Sequence, residues 1–326
     1  MRRVSVIGGG PAGASAAIAA VQAGARVSLY ERSTFPRHKV CGEFLSPEIS
    51  RLLLDLGIWD RFLAAQPFRY RRLHLHFGND EVFDDLPEPA FGLSRYVLDK
   101  LLLDRACELG AELIREPAPA ESSSHPAVIA HGRREELPRG ERLFGYKAHF
   151  EGPAEDAVSL YFHGSGYTGV NVIEGGLTNV CGLASESALR SAGFDYDEYL
   201  SRDGALGERL APLRRKIEWL TTGPLLFRQR WEAAKEGHYR AGDALSFIDP
   251  FTGTGMVSAL LSGKLAGEHA AAGKPVTEYL RACQKSLRAP FLVSSLFRAV
   301  LSKGWAEKLA PLLPGSLLMR LTRPRV

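Results

Sequence analysis

The strongest constraint on the fold lies at the start of the chain, where the apolar run Val4 to Ile7 meets Gly8-Gly9-Gly10 and a small-residue stretch from Pro11 to Ala23. This spacing, G-x-G-x-x-G between a strand and a helix, belongs to a βαβ unit. Gly8 permits the tight turn, Gly10 lets a ligand approach the backbone, and Gly13 lets the helix pack against the strand. The helix start, Pro11-Ala12-Gly13, then offers unpaired N–H groups and a positive dipole end to a pyrophosphate. Val27 to Tyr30 reads as the second strand. Glu31 closes it, eighteen residues after Gly13, where a carboxylate can accept ribose hydroxyls.

A second G-x-G-x-x-G, at Gly164, Gly166 and Gly169, has no helix after it. It lies between β-patterned runs and reads as hairpin turns. Residues 46–64 and 97–109 carry apolar positions at helical spacing, whereas Arg72 to Phe77 and Ala157 to Leu183 read as strands of an antiparallel sheet. Glu116 to Pro126 reads as a loop, and Ala127 to Ala130 as an apolar strand. Tyr239 to Ala244 ends a short strand, Met256 to Ala271 reads as a helix, and 276–321 look helical with Leu292, Leu296, Val300 and Leu301 on one face. Helix, sheet and helix in this order imply a discontinuous nucleotide domain interrupted by a β-domain.

Composition narrows the classes further. Cys41, Cys107, Cys181 and Cys283 show no C-x-x-C and no paired His spacing, which argues against a zinc site or a disulfide framework and for a reducing cytoplasm. No run reaches the ~20 apolar residues of a membrane span. Residues 274–326 hold ten Lys/Arg against Glu278 and Glu307. This basic, apolar tail suits peripheral contact with an anionic membrane, although helices capping the β-domain would have the same pattern. There is no basic face interleaved with aromatics, so nucleic acid is not an expected partner. The histidines, among them His74, His76 and His149, are scattered and read as ordinary packing or surface residues.

Five blocks together resemble the geranylgeranyl reductase and aromatic-hydroxylase superfamily of FAD enzymes: VIGGGPAGASAA, Glu31-Arg32, KVCGE at Lys39 to Glu43, LSRYVLDKLL at Leu93 to Leu102, and AGDALSFIDPFTGTGM at Ala241 to Met256. The resemblance implies an α/β fold: a Rossmann-like, discontinuous FAD-binding domain of glutathione-reductase type (1–66, 92–138 and 236–275), an inserted antiparallel substrate domain (67–91 and 139–235), and C-terminal helices (276–326). It further implies non-covalent FAD held by Gly8, Gly10, Pro11, Ala12 and Gly13 at the pyrophosphate and by Glu31 with Arg32 at the ribose. Cys41 and Gly42 would lie beside the flavin and Arg95 would reach the cofactor. Asp243 would sit at the ribityl and pyrophosphate region, with Gly253, Gly255 and Met256 under the ring. Cys41 is the candidate catalytic residue, as a proton donor.

The chain departs from the family where Val128-Ile129-Ala130-His131-Gly132 leaves no acid before Gly132, where the region Ile114 to Ala127 is short, and where Tyr167 to Val172 lacks Trp and Pro. The tryptophan motif and active-site lysine of flavin halogenases are not recognisable. The expected protein is an FAD-dependent oxidoreductase acting on an apolar small molecule, with NADPH or NADH as a transient donor. Reduction of a carbon–carbon double bond is favoured, with hydroxylation or a non-catalytic flavin-binding role as alternatives.

Overall fold

The structure, a computed structural model, describes residues 1–118, 125–133, 142–164, 166–232, 235–247, 250, 253–302 and 323–324. Its first layer is a five-stranded parallel sheet in the order His238–Arg240, Ala127–Ile129, Arg3–Ile7, Arg26–Tyr30, Glu112–Ile114. The apolar alternation of Val4 and Val6 buries both side chains under helices Pro11–Gln22 and Gly255–Ala272. Glu112–Ile114 is a strand that the polar sequence around it conceals.

Helices Pro11–Gln22 and Gly255–Ala272 touch backbone to backbone. A Cβ added at Gly263 would lie 2.1 Å from the Ala12 carbonyl oxygen, and one at Gly267 would lie 2.2 Å from that of Ala16. Small residues on both helices thus bring the start of the chain against a segment 250 residues later, and only Gly fits at those two contacts. Helix Arg95–Glu108 packs against the first helix as well.

The second layer is a nine-stranded sheet, among the described residues, running Arg214–Arg215, Leu143–Glu151, Thr178–Ser185, Gly166–Val172, Val158–His163, Phe68–Phe77, Asp80–Gly92, Phe44–Leu45, with Leu220–Thr222 also on Leu143–Glu151. Phe44–Leu45 pairs with Phe91–Gly92, so this piece of the N-terminal segment joins the second sheet. The sheet is not wholly antiparallel: Phe68–Phe77 runs parallel to Val158–His163. Gly164, at φ +56, turns a hairpin, and Gly169 lies within a strand, so the second glycine pattern is indeed β-structure.

The remaining segments owe their shape to local causes. The helical stretch 46–64 is two helices, Ile49–Asp55 and Trp59–Ala64, separated at Gly57 with φ +67. The β-rich stretch 139–235 contains three short helices, Glu186–Ser191, Tyr196–Ser201 and Gly204–Leu210, each started by a side-chain cap from Ser185, Asp195 or Asp203. They cover one face of the sheet over Tyr146, Phe150 and Tyr161. The tail is helical from Val276 to Ser302, and the rest of the expected helical stretch lies outside the described residues, as does most of the Glu116 to Pro126 loop.

Candidate functional site

The glycine turn is shaped by close contacts. A Cβ on Gly13 would meet the Gly8 carbonyl oxygen at 1.7 Å, and Gly8, at φ +104, packs against the Ala130 carbonyl. Beside Gly10 there is nothing within 4 Å. The helix that follows begins at Pro11, takes no side-chain cap from Gly10 and has no acid in its first turn. An open space thus faces an uncapped helix N-terminus, which is the arrangement that receives a pyrophosphate.

Glu31 is buried behind this turn. Its Oε2 accepts the Gly9 N–H at 2.8 Å and lies 3.3 Å from Arg37 Nη2, while Oε1 accepts the Ser33 N–H at 2.7 Å. Burial opposes its charge, but the Ser33 and Gly9 amides and Arg37 outweigh it and hold the carboxyl below its ordinary value. Arg32, expected to accompany Glu31, is exposed; the cation against the carboxylate is Arg37.

The late motif folds onto the early one. Gly242, at φ +59, donates its N–H to Ser262 Oγ at 2.9 Å, and a Cβ there would stand 2.8 Å from that of Ala12. Gly242 therefore stands against the start of helix Pro11–Gln22, and Asp243 follows it directly. Asp243 lines a shallow cleft with His131, Arg133, Arg230 and Phe247. Surrounding protein pushes its carboxyl up, while Arg133 and Arg95 pull it down. Arg133, bonded to Thr222 Oγ1 at 2.8 Å and 4.8 Å from the centre of the Phe247 ring, brings a cation to the His131-Gly132 departure from the family pattern. Gly253, at φ +66, packs on Phe44, and Gly255 and Met256 open the long helix; Met256 is buried.

The loop 39–43 rests on the sheet face opposite the three short helices. Asn179 donates to the Gly42 carbonyl at 2.9 Å and to that of Cys41 at 3.4 Å, and Lys147 Nζ donates to that of Lys39 at 3.2 Å. Glu43 follows in the left-handed region at φ +52, which is strained for a residue with a side chain. Its carboxylate holds the strain in place. It pairs with Lys147 Nζ, meets His149 Nε2 at 2.7 Å and accepts the Arg95 N–H at 2.6 Å, with Glu43, Lys147 and His149 all buried. Burial would raise the Glu43 carboxyl, but Lys147 and His149 outweigh it and keep it below the carboxylate range.

Cys41 sits between these features. The Glu43 N–H donates to its Sγ at 3.4 Å, and Arg95 bears on the thiol from the other side. Burial pushes the thiol pKa up, with Arg95 opposing, so the group stays protonated at neutral pH. The Arg95 guanidinium itself forks onto the buried Asp99 at 2.5 and 2.7 Å.

Two clusters thus emerge from the expected residues: Gly8, Gly10, Pro11, Ala12, Gly13 and Glu31 with Gly242 and Asp243, and Cys41 with Gly42 and Arg95. Sequence reasoning missed Lys147, His149, Asn179, Arg133 and Arg37. The alternation Lys147, His149 within an otherwise apolar strand was the available signal for the first two. The open space at Gly10, the uncapped helix and the buried carboxylate fit a flavin dinucleotide.

Residues 1–125 match the family model described as FAD binding domain. The chain carries an FAD-binding domain. Menaquinone reductase of Mycobacterium tuberculosis is 36% identical over 118 residues, 34% of this chain and 28% of that protein. Digeranylgeranylglycerophospholipid reductase 2 of Methanopyrus kandleri is 34% identical over 158 residues, 48% of this chain and 34% of that protein. The chain therefore spans about a third of the length of these curated relatives. A triple mutant of a flavin-dependent brominase superposes with a TM-score of 0.79 at 18% identity, covering 98% of this chain and 93% of the other. A geranylgeranyl bacteriochlorophyll reductase-like protein from Thermoplasma acidophilum gives 0.69 at 21%, covering 99% and 91%. These two likenesses establish the fold alone.

Proposed function

We propose that the chain is an FAD-dependent oxidoreductase that reduces a carbon–carbon double bond of an apolar small molecule, with NADPH or NADH as the transient donor. The observation that carries this reading is the half-buried thiol of Cys41, set beside Arg95 on a loop anchored by Glu43, Lys147, His149 and Asn179. Bound FAD supplies hydride chemistry. Cys41 delivers a proton to the carbon beside the one that accepts hydride, and Arg95 steadies the thiolate left behind. Gly8 to Gly13, Glu31 and Asp243 hold the dinucleotide. Tyr70, Tyr167 and Leu183, on the same sheet face as Asn179, form an apolar wall that excludes water from the acceptor.

The matches to menaquinone reductase and digeranylgeranylglycerophospholipid reductases support a reductase and suggest the acceptors to try. Purified protein should be yellow and bleach under anaerobic NADPH. Adding menaquinone or an unsaturated geranylgeranyl lipid should restore the colour and give a product heavier by two hydrogens. Oxygen consumption coupled to a hydroxylated product would instead assign a monooxygenase, and a chain that cannot take up FAD would overturn the whole reading.

No helix among the described residues is long and apolar enough to cross a membrane. Peripheral contact belongs to the same proposal. Leu292 and Leu296, one turn apart on helix Val276–Ser302, are exposed within the basic tail, the composition that rests on anionic lipid and meets an apolar substrate there.

A further inference from the structure

We propose that His74, His76 and Glu81 form a binding site for a divalent transition-metal ion of the zinc class, on the sheet face away from the flavin loop. His74 and His76 are two residues apart in strand Phe68–Phe77, so both side chains leave the same face, while Leu73, Leu75 and Phe77 fill the core on the other. Glu81 lies directly across from His76 in the neighbouring strand Asp80–Gly92. The three residues therefore converge through strand register alone.

The spacings suit ligands gathered around one ion. His74 Nε2 stands 3.4 Å from Glu81 Oε2, and His76 Nδ1 stands 3.3 Å from Glu81 Oε1. One ligand atom from each residue falls within 4.8 Å of the others. An ion holding nitrogen and oxygen at about 2.0–2.1 Å in tetrahedral geometry separates its ligands by about 3.4 Å. Meanwhile His74 Nε2 and both ring nitrogens of His76 are buried without a hydrogen-bond partner, and His76 is only 7% exposed. Buried polar atoms are rarely left so, and an ion would satisfy two of the three.

Aromatic neighbours hold both rings on this face, and the two imidazoles, 3.7 Å apart between centroids, part to bracket an ion. His76 stacks on Tyr161 with centroids 4.0 Å apart, and His74 on Phe83 at 3.8 Å. Two imidazoles and one carboxylate suit zinc and its neighbours, whereas calcium and magnesium favour all-oxygen sets. All three ligands come from one hairpin turned at Gly78, so the ion acts as a clamp between its strands. The far end of that hairpin pairs Gly92 and Phe91 with Phe44 and Leu45, next to the flavin loop. The role is structural, and the proposal stands apart from the identity of the reaction.

The test uses the untagged, FAD-loaded full chain, stripped with chelator and titrated with zinc chloride by calorimetry while the flavin absorbance is followed. Saturable binding of one ion per chain with a rise in Tm is expected, and His76→Ala should weaken it by at least about 100-fold, the upper end of what loss of even an outer-sphere partner costs. Because His76 is buried, the less buried pair His74→Ala and Glu81→Gln provides a variant that keeps the fold. It should retain its flavin spectrum while losing both the zinc heat and the Tm rise. No saturable zinc in the wild type, or wild-type affinity in the paired variant, would overturn the site.

Discussion

The turn Gly8 to Gly13 and the loop Lys39 to Glu43 are built by different physics. The turn Gly8 to Gly13 is a backbone device: its shape follows from which positions lack a Cβ, and its ligand groups are N–H donors at a helix end. The loop Lys39 to Glu43 is a side-chain device, shaped by carbonyls and a carboxylate that reach Lys147, His149 and Asn179 more than a hundred residues away. A backbone device is rigid and can be specified by local spacing alone. A side-chain device depends on a distant strand, and it can be altered one atom at a time.

The largest expected effect breaks the first loop. Gly13→Ala drives a methyl into the Gly8 carbonyl and should cost more than about 4 kcal/mol or abolish soluble protein, whereas Gly10→Ala meets open space and should cost within about 1 kcal/mol. Urea melts of the two FAD-free proteins measure the difference, and Gly10→Ala should in addition retain less flavin. Equal stability of the two variants would remove the distinction between the helix contact and the ligand contact.

Next in size is Glu43→Gln, which leaves Lys147 buried without its counter-charge and should cost about 3–5 kcal/mol in urea melts. The folded Glu43 carboxyl is held below its ordinary value of 4.5, so its stabilisation is fully present above that pH and is lost as pH falls through the folded pKa. The variant should therefore lose stability less steeply than the wild type below pH 4.5. A wild-type slope in the variant would mean that other carboxylates govern acid unfolding.

What was legible in the sequence follows the same division. The βαβ start and the place of Glu31 at the end of its second strand could be anticipated, because glycine spacing and strand–helix order act locally, whereas the approach of Gly242-Asp243 to Ala12 followed only from the family resemblance. Gly263 and Gly267 were hidden inside an apolar helix, since only the partner helix tells which glycines touch it. The three short helices escaped because six or seven residues carry too little period, although Ser185, Asp195 and Asp203 were readable caps. Glu43 stood in a motif, but its partners are defined by the register of Leu143–Glu151, which no local pattern reveals.

A finer probe of the second loop is Cys41. The thiol packs among Arg95, Glu43 and Asn179-bound carbonyls, so Cys41→Ala should leave folding within about 1.5 kcal/mol and FAD binding unchanged. Loss of the proton donor should slow turnover by about 100-fold or more, with Cys41→Ser falling between. Stopped-flow separation of flavin reduction from flavin reoxidation locates the defect. It belongs in reoxidation by the acceptor. A defect confined to reduction by NADPH would make Cys41 a part of donor binding instead.

The smallest expected change in stability comes from a region that neither loop touches. Leu292 and Leu296 are 70% and 67% exposed, so changing both to Asp removes little packing and should shift stability by no more than about 0.5 kcal/mol per site. Their effect should appear only at a lipid surface. Wild-type protein is expected to float with anionic vesicles at low salt and less so at high salt, because cations of the tail supply a screened attraction and the leucines an unscreened one. The double variant keeps the cations, so any flotation it retains should vanish fully at high salt, whereas the wild type keeps a residue of binding. The same salt dependence in both proteins would assign the attraction to charge alone, and no flotation in either would make the helix a cap on the protein's own surface.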